Sequence, residues 1–437
     1  MLRFTRLADW LSWQETLHPS TIDLGLERLG RVLDRLNWPG LQCPVITVGG
    51  TNGKGSCVAL LARILSEAGY RVGTFTSPHL LRYNERITLA GRQVSDASLL
   101  AAFERIDAAR GADTLTFFEF NTLATLLIFE TAALDVALLE VGLGGRLDAV
   151  NVLDADVALV TSIDLDHCDW LGNDRESIGR EKAGIFRAGR PAVFAAPSMP
   201  QSIAEVAESI GAQLLRAGQD FTVERSGERW SWRRSGKRID DLPPSALQGA
   251  VQYDNAAAVL TVLDCLADRL PVNQAAIVKG LGTVQLAGRF QLVHWQVDWI
   301  FDVAHNCAAA EVLARALREY GDPSSADGRQ TIAVCGILGD KDIEGIAAQL
   351  QHSFAQWVVV KPASARAINE QVLAERLRKC GAHVTTVAPT VEEGCEAALV
   401  LAGRNDRIVV FGSFLTVGPA LQWLEQRADK GPYSRRS

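Results

Sequence analysis

Lys54 and Ser56 stand in a glycine-rich run, Gly50-Thr51-Asn52-Gly53-Lys54-Gly55-Ser56, whose residue types suit a nucleotide phosphate. Glycines let backbone N–H groups converge on phosphate oxygens, a lysine offsets the anionic charge, and a hydroxyl at a helix start ligates Mg2+. The run departs from the standard GxxxxGK[ST] pattern: Val48 takes the place of its first glycine, and Gly55 separates Lys54 from Ser56. Four more groups lie downstream. Ser77, in Thr76-Ser77-Pro78-His79, offers either a hard oxygen ligand for Mg2+ or a turn cap. Glu140 ends an apolar run just before Gly142, Gly144 and Gly145. A carboxylate there needs a partner, and a metal ion on the nucleotide is the economical one. His167, in Asp164-Leu165-Asp166-His167, offers an imidazole to a second cation. Lys182, in Gly179-Arg180-Glu181-Lys182-Ala183-Gly184-Ile185, reads equally as part of this site or as a solvated lysine on a charged helical turn.

The elements that must position these groups alternate along the chain. Apolar runs at Val45–Val48, Val72–Thr76, Val136–Val141, Val157–Ile163 and Ala192–Ala195 read as buried parallel strands. Helical patterns at Ser56–Ala68, Ser98–Arg110 and Phe120–Ala133 supply crossovers. The groups at Ser77, Glu140 and His167 fall at the ends of strands, where open α/β sheets bind ligands. Short alternating pieces from Phe221 to Ile239 predict a small antiparallel appendage before a helix at Asp254–Ala267. A second α/β series follows, with strands at Trp299–Val303, Ile332–Ile337, Trp357–Val360, Val384–Val387 and Ile408–Phe411. The expected fold is thus α/β in two domains. Residues 1–286 form a doubly wound, mostly parallel phosphate-loop domain with its appendage, and residues 287–437 form a smaller Rossmann-like domain.

Two domains also follow from 437 residues, more than one core usually organises, and 48% apolar composition is ample for globular folding. A net charge of -7, with no basic block except Arg435-Arg436, argues against a nucleic-acid scaffold and for small-molecule partners. The longest apolar region, from Thr122 to Gly145, is broken by Glu130, Asp135 and Glu140, so neither a signal peptide nor a membrane span is expected. Eight cysteines without a CxxC pair fit a reducing cytoplasm.

Taken in order, GTNGKGS, SPHL, EVGLGGRLDAVN, DLDHCDWLG and GREKAGIF resemble the folylpolyglutamate synthase and dihydrofolate synthase family, relatives of the Mur cell-wall ligases. The likeness extends to Thr21–Arg28, to Gly288-Arg289-Phe290-Gln291 and to Asp302-Val303-Ala304-His305-Asn306. It implies a monomeric ATP-dependent ligase that joins L-glutamate to a folate-type carboxylate, either 7,8-dihydropteroate or tetrahydrofolates, through an acyl phosphate. Carried over by residue, Thr51, Asn52, Gly53, Lys54, Gly55 and Ser56 hold ATP phosphates, and Ser56, Ser77, Glu140 and His167 serve two Mg2+ ions. Asn255, Arg289 and Asp302 match ATP contacts, and His305 matches a second-domain signature. Lys182 matches a lysine that becomes carbamylated. The pterin falls to Asp23, Leu24 and Gly25, to Thr116, Phe117, Phe118 and Glu119, and to Arg146, Leu147 and Asp148, with at least one of the two phenylalanines expected in the core. Val303 and Cys307 depart from the usual DGAHNP, and Val251 from GxHQxxN, which puts local contacts around His305 and Asn255 in doubt. A Mur-type ligase acting on a UDP-muramyl substrate, a monofunctional folylpolyglutamate synthase and a phosphate-loop switch are the alternatives.

Overall fold

A computed structural model describes residues 3–321 and 329–428; the Arg435-Arg436 tail lies outside them. Two compact units are distinguished. The first comprises the chain up to Val284 except Leu80–Arg82 and Leu247–Val251, which group with the rest of the chain in the second.

The first unit is built on β1 (Val45–Gly49), β2 (Val72–Phe75), β3 (Ile87–Leu89), β4 (Arg92–Gln93), β5 (Val136–Glu140), β6 (Val157–Val160), β7 (Pro191–Phe194) and β8 (Gln213–Arg216). They form one sheet in the order β4-β3-β2-β5-β1-β6-β7-β8, parallel except for β3 and β4. Register sets Val48 beside Glu140 and Gly49 beside Val160, so the loops after β1, β5 and β6 leave the sheet at one level. Wholly buried β1 and β5 explain their unbroken apolar text. The five strands expected here are present; β3, β4 and β8 are additional, being short or edge strands with little periodicity.

The helix Lys54–Glu67 buries Leu60, Leu61, Ile64 and Leu65. Two further helices, Leu7–Leu17 and Glu27–Arg35, not expected from the sequence, also pack on the core: Trp10 is fully buried among Phe4, Phe103 and Phe120. The appendage is a three-stranded antiparallel sheet of β9 (Phe221–Ser226), β10 (Arg229–Arg234) and β11 (Lys237–Leu242), one strand more than a hairpin. Trp230 and Trp232 alternate onto its buried face, and Trp232 Nε1 donates to Thr261 Oγ1 at 3.0 Å.

The second unit carries β12 (Gln291–Trp295), β13 (Val297–Asp302), β14 (Thr331–Cys335), β15 (Gln356–Val360), β16 (Val384–Ala388) and β17 (Arg407–Phe411) in the order β12-β13-β17-β14-β15-β16. All pairings are parallel except the β12–β13 hairpin, which turns at Gln296 with φ +58°. β12 has no sequence signature because no glycine or proline marks that turn.

Candidate active site

Gly50 is required by its position: φ is +134°, and a Cβ there would lie 1.9 Å from Thr161 Oγ1. The phosphate loop is laced to the segment after β6. Thr51 N donates to Ser162 O (2.8 Å), Asn52 N to Ser162 Oγ (3.1 Å), and Thr161 Oγ1 to Asn52 O (2.6 Å). Gly53, with φ +90°, caps the helix that begins at Lys54, and Ser56 is buried in its first turn. Such a helix start is an anion site by backbone geometry and dipole. Asn255 packs on this loop: a Cβ on Gly53 would sit 3.0 Å from Asn255 Oδ1, and Asn255 Nδ2 donates to Gln252 Oε1 at 3.0 Å. Val251 in place of the usual histidine therefore leaves Asn255 at the loop.

Lys182 is only 5% exposed, which overturns its reading as a solvated lysine. Its Nζ donates to Gly50 O at 3.0 Å, and Lys54 Nζ donates to the same carbonyl at 2.9 Å and to Thr51 O at 3.1 Å. Burial, with the neighbouring Lys54 cation adding to it, pulls the Lys182 amine down to about 7. Gly145 makes room for its helix, since a Cβ there would lie 2.8 Å from Glu181 O.

Glu140, 5% exposed at the end of β5, accepts from the Ser77 backbone N–H at 3.2 Å. His167 is 38% exposed, with φ +53° and its N–H donating to Asp166 Oδ1 at 2.9 Å. Left-handed backbone at a non-glycine residue costs of order 1 kcal/mol and marks functional loops more often than others. Among the described residues no three His, Cys, Asp or Glu side chains form a group that closes on a metal. Mg2+ requires no such group, since one or two protein ligands with water and phosphate oxygens complete its octahedron. A buried carboxylate at an apolar strand end and a hydroxyl at a helix start fit that demand for hard oxygen.

The Asp23–Gly25 and Thr116–Glu119 segments meet through Arg28. Its Nη1 donates to Asp23 Oδ2 (2.5 Å), and its Nη2 donates to Asp23 O (2.8 Å) and Glu119 Oε1 (3.1 Å). Glu119 is fixed by a capping box with Thr116, and His18 bridges Asp23 to Thr114. Arg28 and His18, which no motif in the sequence marks, each stand five residues from Asp23. Leu24 and Gly25 are half-buried beside Asp23. Phe117 and Phe118 are both half-buried and pack against the core; Phe118 faces Gly142, where a Cβ would lie 2.6 Å from its ring. Asp148 is buried and accepts from the N–H groups of Gly142, Leu143 and Val150, and burial raises its carboxyl to about 6. It shapes the glycine loop. Arg146 is exposed and paired with Glu181 (2.8 Å), and Leu147 is half-buried.

Replacing Arg28 with methionine is expected to lower stability by about 1–3 kcal/mol, because Glu119 keeps its burial and loses its counter-charge. Pterin affinity should fall with it. Denaturant titration and equilibrium binding check both; two unchanged values would remove Arg28 from the site.

In the second unit Asp302 ends β13 and accepts from Phe290 N (2.9 Å) and Ala304 N (2.8 Å), with burial raising its carboxyl. Arg289 lies over the Phe414 ring at 5.1 Å, and the His305 ring lies 6.4 Å from the same ring while its Nδ1 meets Val303 O at 2.8 Å. Phe414, which carries no signal in the sequence, organises this group just after β17. Cys307 begins a helix and donates to Asp342 Oδ2 at 3.2 Å, an interaction the usual proline lacks.

The chain matches two family models, the Mur ligase middle domain over residues 48–262 and the Mur ligase glutamate ligase domain over residues 288–414. It is 44% identical to the Escherichia coli (strain K12) dihydrofolate synthase/folylpolyglutamate synthase over 428 residues, 97% of each chain. Among solved structures it is similar to E. coli FolC in complex with DHPP and ADP, at 42% identity and TM-score 0.90 over 97% of this chain and 98% of that one. It is also similar to a bifunctional folylpolyglutamate synthase/dihydrofolate synthase with Mn, AMPPNP and L-glutamate bound, at 43% identity and TM-score 0.87 over 96% and 98%. The chain belongs to the dihydrofolate synthase/folylpolyglutamate synthase family of Mur ligases.

Proposed function

We propose that this chain performs both activities of its family with the division of labour below. It is an ATP-dependent carboxylate–amine ligase that adds L-glutamate to 7,8-dihydropteroate, giving dihydrofolate, and extends tetrahydrofolates with further glutamates. A carboxylate is a poor electrophile and hydroxide a poor leaving group, so direct condensation does not occur at neutral pH. ATP supplies the phosphoryl group that turns the acceptor carboxylate into an acyl phosphate, and Mg2+ neutralises charge on the transferring group.

Thr51–Ser56 and Asn255 hold the phosphates, and Lys54 screens their repulsion from the acceptor carboxylate. Ser56, Ser77, Glu140 and His167 would hold two Mg2+ ions. The Asp23–Gly25, Thr116–Glu119 and Arg146–Asp148 segments seat the pterin. In the second unit Arg289 and Asp302 are assigned to ATP and His305 to the approach of glutamate. Lys182 is assigned to carbamylation: its neutral amine attacks CO2, a proton leaves, and a carbamate anion replaces the cation. An amine pulled to about 7 is substantially neutral at physiological pH, and the change removes like-charge repulsion with Lys54. The protein is assigned as a cytoplasmic monomer; all eight cysteines are free thiols, which supports a reducing compartment.

The observation that carries this reading is the meeting of Lys54 and Lys182 on one loop carbonyl, in a sheet whose register sets Val48 beside Glu140. Glutamate-dependent phosphate release tests it, with dihydropteroate and tetrahydrofolate as separate acceptors. Release with both is expected. Release with tetrahydrofolate alone would reduce the chain to a folylpolyglutamate synthase, and release with neither would overturn the reading.

A further inference from the structure

Arg86 is a cation that none of the roles above employs. It is 8% exposed, it closes the short 3-10 turn Tyr83–Arg86, and its carbonyl accepts from Thr76 N at 2.9 Å, which fixes it beside the Thr76-Ser77 turn. Its guanidinium lies 5.5 Å from the Phe117 ring centre and 5.8 Å from that of Tyr83. Nε donates to His79 Nδ1 at 2.8 Å. Among the described residues no carboxylate lies within ion-pair distance of it; Glu140 and Glu85 act on it electrostatically without closing an ion pair with it. Arginine is not discharged in proteins, so a buried guanidinium without a counter-ion carries a desolvation cost that an arriving anion relieves. The donors left over are Nη1 and Nη2, the fork that matches a carboxylate in two parallel hydrogen bonds.

We propose that Arg86 is a further substrate-binding residue, whose terminal nitrogens receive the carboxylate of the glutamate acceptor. This rests on the function proposed above. Its position suits such a role, because Phe117 belongs to the segment assigned to the pterin, and Ser77 and Glu140 to the metal edge. Arg86 thus lies between the acceptor's aromatic body and the place where its carboxylate must be phosphorylated. His79 is then a positioning residue, and its Nδ1 turns the guanidinium edge so that the fork stays available.

Binding of dihydropteroate and of its uncharged carboxamide analogue to the full-length protein with ADP present tests the proposal. Arg86→Gln should weaken dihydropteroate binding by about 10- to 100-fold and leave the carboxamide within about twofold of wild type. Arg86→Lys, which keeps the charge and loses the fork, should fall between. Equal loss for both ligands would make Arg86 a structural residue, and unchanged dihydropteroate affinity would likewise overturn the assignment. ADP affinity reports whether each variant is folded. Should Arg86→Gln lose ADP binding, the comparison is read from Arg86→Lys under the same two criteria. A wild type that releases no phosphate with dihydropteroate refutes the function itself; normal wild-type release with indifferent variants refutes only the role of Arg86.

Discussion

Glutamate ligation by a Glu140→Ala variant is expected to fall by about a thousandfold or more, to the floor of a phosphate-release assay. The carboxylate is 5% exposed at the end of an apolar strand, held by the Ser77 N–H. A buried anion in such a place is a poor source of stability, because desolvation opposes whatever its neighbours contribute. The fold should therefore tolerate the change, and the thermal transition without nucleotide should stay within a few degrees or rise. Glu140→Gln keeps the shape and removes the charge, and it should be as inactive. His167→Ala should share the defect, with a raised Mg2+ requirement as its signature. Wild-type rates in Glu140→Ala and His167→Ala at ordinary Mg2+ would end the metal assignment.

Lys182→Ala is expected to lose about two to three orders of magnitude in rate and to recover part of it with millimolar formate or acetate, as a small carboxylate takes the place of the carbamate. Failure of every short acid to restore activity would leave Lys182 as a plain cation; full activity would remove it from the site. A stability measurement supplies an independent check. The Lys182 amine titrates near 7 in the folded chain against an ordinary 10.5, so between those values the unfolded chain binds the proton that the folded chain has released. Stability thus rises with pH across that window, and below about 7 the cost of burying the cation is fully present. With CO2 excluded, Lys182→Met should be more stable than wild type at about pH 7, and the gap should close as pH approaches about 10. A gap that does not change with pH would show that the lysine is not buried as a strained cation.

The positions of the main parallel strands were legible because buried strands leave unbroken apolar runs, and glycine at Gly50 and Gly53 announced backbone that other residues rarely adopt. Ser77, Glu140 and His167 could be singled out because each follows such a run. The antiparallel strands β3 and β4 were not legible, since two or three residues are too few to show a period, and β12 was not because no glycine or proline marks its turn. Nor were the helices before the phosphate loop, whose apolar residues mix with charge.

What the sequence determined by itself was the candidate chemistry: a glycine-rich loop suited to phosphate, candidate metal ligands at strand ends, and a likeness to folate ligases spread along the chain. Tertiary structure decided the burial and the partners of these residues. Lys182 reads in the sequence equally as a site residue or as a solvated lysine, and only burial against the Gly50 carbonyl makes it a depressed amine. Asp148 carries no local sign of its burial, yet three backbone N–H groups converge on it and fix its orientation. Arg28 joins segments ninety-one residues apart at Glu119, a partnership with no local signature. The reason is physical: residue type sets what a group is able to do, whereas burial and partners, which come from distant parts of the chain, set its charge, its orientation and its availability.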